Sequence, residues 1–224
     1  MKLVNIKQGI EIEYYENDII ELVIENAGIF SDIIRMLIDQ NNGEDGDFQL
    51  SSNSKSISLV NYSDIIIDYF SFSTNSKKII NKLYSNMESV ANNMIEEKTS
   101  INAKLISVLD DISLSLGSAN LTYNLDFRWT DIFKIYNVSF EEEYSDISER
   151  ISAYIKILSM FTDVRLLFLV NLKAYISGND LKNIYQIANY CNINLFLIES
   201  HEFVERTCEK RYIIDKDLCF INAN

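Results

Sequence analysis

The sequence predicts an α/β fold, a mixed-sheet head built from both ends of the chain and interrupted by a mainly helical leg. Three observations carry this expectation. Val164-Arg165-Leu166-Leu167-Phe168-Leu169-Val170 has the near-continuous apolar composition of a strand buried on both faces. A helical stretch from about Gly178 to Cys191 follows, and then a second strand, Leu195-Phe196-Leu197-Ile198-Glu199, which is the spacing of a right-handed parallel crossover. Between residues 76 and 161 the apolar period is mostly helical instead.

From the N-terminus, Met1-Lys2-Leu3-Val4-Asn5 begins as a strand, Ile10 to Tyr15 alternates roughly in and out, and Ile19 to Ile24 is continuous enough to be buried. The chain turns at Glu25-Asn26-Ala27-Gly28. From Ile29 the residues Ile29, Ile33, Ile34, Leu37 and Ile38 share one helix face, which Asn41-Asn42-Gly43 ends. Phe48 to Leu50 and Ile57 to Val60 predict short paired strands, and Ile65 to Phe70 a stronger one. A long helix is expected from about Ser76 to Glu97, with Ile79, Ile80, Leu83, Met87, Val90, Ala91, Met94 and Ile95 recurring at three and four. A second runs from Ile101 to Leu116, and the few residues between them predict an antiparallel helical hairpin. A short strand at Leu121 to Leu125 and a helix from Thr130 to Tyr136 come next. After Glu141-Glu142-Glu143 a helix is expected from about Ser145 to Phe161, its dipole complemented by acids before and in its first turn. Arg211 to Asp215 and Cys219 to Ile221 supply edge strands. The predicted division is a head of residues 1–75 and 162–224 and a leg of residues 76–161.

At 224 residues and 47% hydrophobic, the chain can bury a core as one large domain or as a domain with an insertion. Its longest apolar run, around Leu166 to Leu172, is flanked by Arg165 and Lys173 and falls short of the roughly 18 residues a membrane span needs. With no apolar signal core at the N-terminus, a cytoplasmic location with no membrane partner is expected. Cys191, Cys208 and Cys219 are odd in number, lack C-x-x-C spacing and read as small buried thiols. His201 is the only histidine, which excludes a multi-histidine metal site and weakens Ser-His or Cys-His catalysis. A net charge of −13 argues against nucleic acid on average, but not against lysines concentrated on one inner face.

Strand, turn, helix and crossover follow the order of a nucleotide hydrolase, which gives two places to test for chemistry. The turn after the first buried strand should be glycine-rich and carry a lysine for the phosphates. Here Glu25-Asn26-Ala27-Gly28-Ile29-Phe30-Ser31 has one glycine, no lysine, and a glutamate that repels phosphate. A buried strand should end in an acid that holds magnesium, and the strand at 164–170 ends in Asn171. There is no G-x-S-x-G, and Asp110-Asp111 point in different directions on a helix. The expectation is a protein that is not an enzyme, with no catalytic residues.

The basic residues have more pattern. Lys78 and Lys82 lie four apart on the first long helix with Lys77 adjacent, Lys98 and Lys104 fall near the hairpin tip, and Arg128 and Lys134 follow. Such a stripe can track a phosphate backbone without reading bases, although charged residues on an exposed helix are more usually only solvated. Arg206, Lys210 and Arg211 form a second cluster with the same plain alternative. Asn124, Asp126 and Asp131, near Glu141-Glu142-Glu143, offer oxygen ligands of the kind calcium prefers, but in a spacing that matches no EF-hand loop, so that on residues alone a surface charge run is the plainer reading.

Several strings resemble the CRISPR-associated Csn-two family, the accessory adaptation proteins of type II-A systems. They are Ile155-Lys156-Ile157-Leu158, Arg165-Leu166-Leu167-Phe168-Leu169-Val170-Asn171, Tyr175-Ile176, Asp180-Leu181, Asn194-Leu195-Phe196-Leu197-Ile198-Glu199 and Asp217-Leu218-Cys219-Phe220. Met1-Lys2-Leu3, Ile10-Glu11-Ile12 and Phe30-Ser31 fit as well, whereas the middle of the chain fits poorly. The resemblance implies a P-loop-ATPase-like head without hydrolytic motifs, a helical leg, and a homotetrameric ring that threads double-stranded DNA ends without sequence preference. It also implies calcium near the junction of head and leg, and a role in spacer acquisition alongside the adaptation integrase and the effector nuclease. On this basis Lys77, Lys78, Lys82, Arg128 and Lys134 are the candidate DNA-binding residues, and Asn124, Asp126 and Asp131 the candidate calcium ligands. Asn124 and Phe127 depart from the family by standing where acids are expected. A protein-interaction scaffold with the same degenerate fold and no DNA role is the alternative.

Overall fold

The computed structural model describes residues 1–53, 55–117, 121–203 and 208–223. The chain divides into two compact units, one of Met1–Thr74 with Glu142–Asn224 and one of Asn75–Glu141. Strands β1 (Lys2–Asn5), β2 (Ile10–Glu13), β3 (Ile19–Ile24), β4 (Phe48–Ser52), β5 (Lys55–Ile57) and β6 (Ser63–Ile66) precede the second unit, with helices α1 (Ala27–Asn41) and α2 (Leu59–Tyr62) among them. The second unit holds α3 (Lys77–Ala91), α4 (Ile95–Ser115) and α5 (Trp129–Ile135). After it come α6 (Ile147–Phe161), β7 (Leu166–Val170), a 3₁₀ turn (Leu172–Ala174), α7 (Gly178–Tyr190), β8 (Asn194–Glu199), β9 (Lys210–Ile214) and β10 (Phe220–Asn222).

The first unit has two sheets. A four-stranded antiparallel sheet runs β2-β1-β4-β5, and a six-stranded mixed sheet runs β10-β9-β3-β8-β7-β6. Within the larger sheet β9, β3, β8, β7 and β6 are parallel, and β10 is an antiparallel edge. The β7-α7-β8 crossover is present, with Leu167 opposite Leu195 and Leu169 opposite Leu197. Because side chains alternate across a strand, each strand of this sheet has two jobs. Ile20, Leu22 and Ile24 of β3, with Leu166, Phe168, Phe196, Ile198, Tyr212 and Ile214, pack in one core with Leu3, Ile10, Ile12, Phe48 and Leu50 of the smaller sheet and Ile33 and Leu37 of α1. Each such side chain stabilises the fold by about 1.5–3 kcal/mol. The intervening residues Glu21, Leu197, Glu199 and Arg211 belong to the opposite face, by the same register.

Local signals start the helices. Asn26 caps α1, its Oδ1 accepting the N–H groups of Gly28 at 3.0 Å and Ile29 at 3.1 Å. At α6, Asp146 accepts the Glu149 N–H at 2.8 Å while Glu149 reaches back to the Ser145 N–H at 2.7 Å, an arrangement akin to a capping box. The hydrogen bond from Ser145 holds the Glu149 carboxyl below its ordinary range. Helix α6 packs on α7 and so lies in the sheet-bearing unit, whereas its helical period alone places it with the leg.

Four local expectations differ. Ile65 to Phe70 does not continue as strand, because the Asp68 side chain accepts the N–H groups of Phe70 and Ser71 and turns the chain. The strand expected at 57–60 is divided between the end of β5 and the short α2. Leu121 to Leu125 has no partner strand among the described residues, and its Leu125 carbonyl is instead held by the Asn102 side chain at 2.6 Å. In the second unit α3 packs on α5, with Tyr84 and Phe133 ring centroids 5.8 Å apart, while α4 buries none of its residues. The cysteines also depart from expectation, since Cys208 and Cys219 are exposed and only Cys191 is partly covered. Among the described residues no helix is long and apolar enough to cross a membrane.

Candidate functional site

The parallel strands of the larger sheet bring the ends of β3, β7 and β8 to one edge, where a nucleotide hydrolase holds phosphate and metal. The turn after β3 is closed on itself. The Gly28 and Ile29 N–H groups, which a phosphate would need, are taken by the Asn26 side chain, and the Glu25 N–H is given to the Ile214 carbonyl at 2.9 Å. Strand β7 ends in Asn171, in left-handed backbone geometry (φ 52°), whose Oδ1 accepts the Ser200 N–H at 2.9 Å. An acid is nevertheless present one strand over. It is Glu199, at the end of β8 beside β3, which a test of the strand at 164–170 alone misses.

Beneath this edge lies a buried ion network. Lys173 Nζ stands 2.9 Å from Glu21 Oε1 and 2.8 Å from Glu209 Oε1, with all three side chains under 5% exposed. Arg211 Nε donates to Glu21 Oε2 at 2.5 Å, its Nη1 to Glu202 at 3.1 Å and its Nη2 to the Phe203 carbonyl at 2.8 Å. The Tyr185 hydroxyl of α7 donates to Glu209 at 2.8 Å, and burial together with that carboxylate pushes the phenol's pKa well up. Glu199 accepts the Lys173 N–H at 3.2 Å, and burial pushes its own carboxyl up to about 8. A buried charge must be paired to persist, and here the protein's own lysine and arginine do the pairing. Of the cluster of Arg206, Lys210 and Arg211, Arg211 is buried and paired with Glu21, and Lys210, partly exposed, pairs with Asp18 at 2.5 Å. Arg206 lies outside the described residues.

All the predicted DNA-binding and calcium residues fall in the second unit. This segment carries seven basic and eight acidic side chains, so it contributes only −1 to the net charge of −13. Lys77 and Lys78 occupy the first turn of α3, which has no acid of its own, and Lys82 is exposed one turn on. Lysines at a helix N-terminus add to the positive end of the dipole rather than oppose it. Arg128 and Lys134 both lie against Asp131. Arg128 grips Asp131 through two hydrogen bonds of 2.9 and 3.0 Å, and Lys134 lies 3.9 Å from the same carboxylate. That hydrogen-bonded pairing lowers the Asp131 pKa and raises that of Arg128.

The oxygen ligands are arranged differently from a calcium cage. Asp126 pairs with Lys98 at 3.0 Å, Lys98 also lies over the Phe127 ring, Asp131 is held by Arg128, and Asn124 is exposed. Among the described residues no three His, Cys, Asp or Glu side chains gather into a metal-holding group. Calcium takes six to eight oxygens, and the set as it stands does not fit that demand.

Among the described residues, two sheets and seven helices, with the turn after β3 and the end of β7 occupied by the protein's own side chains and a second, helical unit of near-neutral charge, define a class, mixed α/β proteins. The particular family follows from comparison with known proteins. The family model described as CRISPR-associated protein (Cas_Csn2) matches residues 40–218, and the chain belongs to that family. It is also similar to the CRISPR-associated protein Csn2 of Streptococcus agalactiae, with 21% identity over 212 residues that cover 91% of this chain and 90% of the relative.

Proposed function

We propose that this protein is a non-enzymatic, cytoplasmic component of CRISPR adaptation that binds double-stranded DNA ends as a homotetrameric ring during spacer acquisition. In this reading the sheet-bearing unit is a P-loop-ATPase-like head and the helical unit a leg. The observation that carries it is the charge partition. Nearly all the net negative charge lies outside residues 75–141, and Lys77, Lys78 and Lys82 cluster at the start of α3. Backbone contacts of this kind give affinity without sequence preference. Family membership supports the CRISPR assignment. The absence of hydrolysis is supported by the closed Asn26 turn and by Lys173, which pairs with Glu21 and Glu209 beneath the strand ends.

Assembly into a ring has support from α4, whose residues Ile95, Val108, Ile112 and Leu114 are all at least half exposed, a surface that oligomerisation or a partner would cover. The same helix favours the second reading, a scaffold that assembles but binds no DNA. Integrase and effector nuclease are the partners proposed in either case. Calcium belongs to the proposal only as a ligand that displaces Lys98 and Arg128 from Asp126 and Asp131. The test is a salt titration of duplex binding by the assembled protein. The adaptation reading expects binding that weakens steeply with salt, and a ring with no duplex affinity at about 100 mM salt leaves the scaffold.

A further inference from the structure

Glu199 is a fully buried carboxyl group whose surroundings do not match a charge. From the 3₁₀ turn it receives the Lys173 main-chain N–H on Oε1 at 3.2 Å, and the Leu172 main chain also hydrogen-bonds it. The Glu21 carboxylate of β3 and the Lys173 ammonium act on it electrostatically, and it acts in turn on the Tyr69 phenol in the segment after β6. Glu199 Oε2 and the Tyr69 hydroxyl, both buried, have no hydrogen-bond partner among the described residues. The neighbouring cations are already balanced, Lys173 by Glu21 and Glu209, and Arg211 by Glu21 and Glu202. Ionising Glu199 therefore adds a negative charge in the interior with one oxygen unsolvated, which a folded protein relieves by neutralising the group or letting water in.

We propose that Glu199 is a proton-operated latch: as a neutral acid it lets the 3₁₀ turn close over the ends of β3 and β8, and on losing its proton to solvent it releases that turn. The contacts that yield can be named. The turn is stitched to β8 by the Asn171 N–H on the Ile198 carbonyl at 2.8 Å, the Ser200 N–H on Asn171 Oδ1 at 2.9 Å, and the Lys173 N–H on Glu199. Asn171 sits in left-handed geometry at the start of the turn, a backbone state that persists only while its surroundings hold it. Hydrating Glu199 opens the Lys173 contact, and movement of Lys173 exposes Glu21 and Glu209, which loosens β9 where Arg211 clamps it to β3. Because burial moves the proton's release up to about 8, the change falls on the alkaline side of neutrality.

The test is thermal unfolding of the whole protein as a function of pH, wild type against Glu199→Gln. The folded-state pKa lies above the unfolded one, so the folded protein binds the extra proton between them, and stability is lost as pH rises toward and through about 8. The wild-type midpoint is expected to fall across that range while Glu199→Gln stays flat. Hydrogen exchange at Leu172 to Ala174 should accelerate beyond its intrinsic pH dependence in the wild type alone. Parallel pH profiles for the two proteins overturn the proposal. If Glu199→Gln does not fold, infrared spectroscopy of the wild type decides. A protonated carboxyl stretch at neutral pH that disappears through about 8 sustains the latch, and its absence at neutral pH overturns it.

Discussion

Replacing Lys173 with methionine asks whether the ion network beneath the strand edge is a structural element of the fold. The change keeps the aliphatic stem and removes only the ammonium, which is 4% exposed and lies within 2.9 Å of two carboxylates that are 0% and 1% exposed. Afterwards Glu21 retains Arg211, and Glu209 retains the Tyr185 hydroxyl and the Cys208 N–H. Removing one partner of a buried pair costs about 3–5 kcal/mol, chiefly through the charge left behind. At roughly 2–4 °C per kcal/mol for a chain of this size, the midpoint falls by about 6–20 °C. Differential scanning calorimetry at neutral pH measures it. Adding Glu209→Gln to the same chain removes the remaining charge and should recover part of the loss, a coupling of about 1 kcal/mol or more. A loss below about 1 kcal/mol for Lys173→Met, or strict additivity of the two changes, refutes the reasoning.

The remaining predictions concern the helical unit. The double change Lys77→Ala and Lys78→Ala should weaken duplex binding uniformly across sequences and lower the salt slope by about 2, near 0.9 for each phosphate that is no longer neutralised; an unchanged slope removes these lysines from the interface. Asp131→Asn tests the pairing with Arg128. Asp131 is held below its ordinary range, so its contribution to stability is present above the unfolded pKa and is lost as pH falls through the folded one. The variant should therefore lose less stability than the wild type on acidification, read by urea unfolding at a series of acidic pH values. If Asp131 is instead a calcium ligand, the variant also loses any calcium-dependent rise in midpoint seen in the wild type.

The parts of the fold legible in the sequence were those with a single strong period and a buried face. The apolar runs of β3, β7 and β8, and the three-and-four spacing of α1, α6 and α7, state both element and burial, and the crossover follows from them. What could not be read depends on partners distant in the chain. Ile65 to Phe70 has strand composition, yet the Asp68 side chain turns it after Ile66. Leu121 to Leu125 has strand composition but no neighbour to pair with among the described residues. The site was legible as an absence, since a turn without lysine and a strand ending in Asn171 need only local residues. The presence was not legible, because Glu21, Lys173, Glu199, Glu209 and Arg211 come from separate segments that only the sheet register brings together. Glu21 was the one available signal, a charge in the middle of a strand otherwise composed of Ile, Leu and Val. The candidate cations divided in the same way. Helix position placed Lys77, Lys78 and Lys82 together on α3, and the i,i+3 spacing of Arg128 and Asp131 was a local signal for their pairing, whereas nothing local announced that Lys98 would be spent on Asp126.

The central claim, that a degenerate hydrolase fold has become a holder of DNA ends, is tested most directly by comparing linear and covalently closed circular duplex of one sequence. Binding of each to the assembled protein is measured in parallel at about 100 mM salt, where the Debye length is about 10 Å. Threading through a ring predicts that the linear duplex binds and the closed circle does not, until a single double-strand cut restores binding. Equal affinity for the two forms, or no binding to either, contradicts the account.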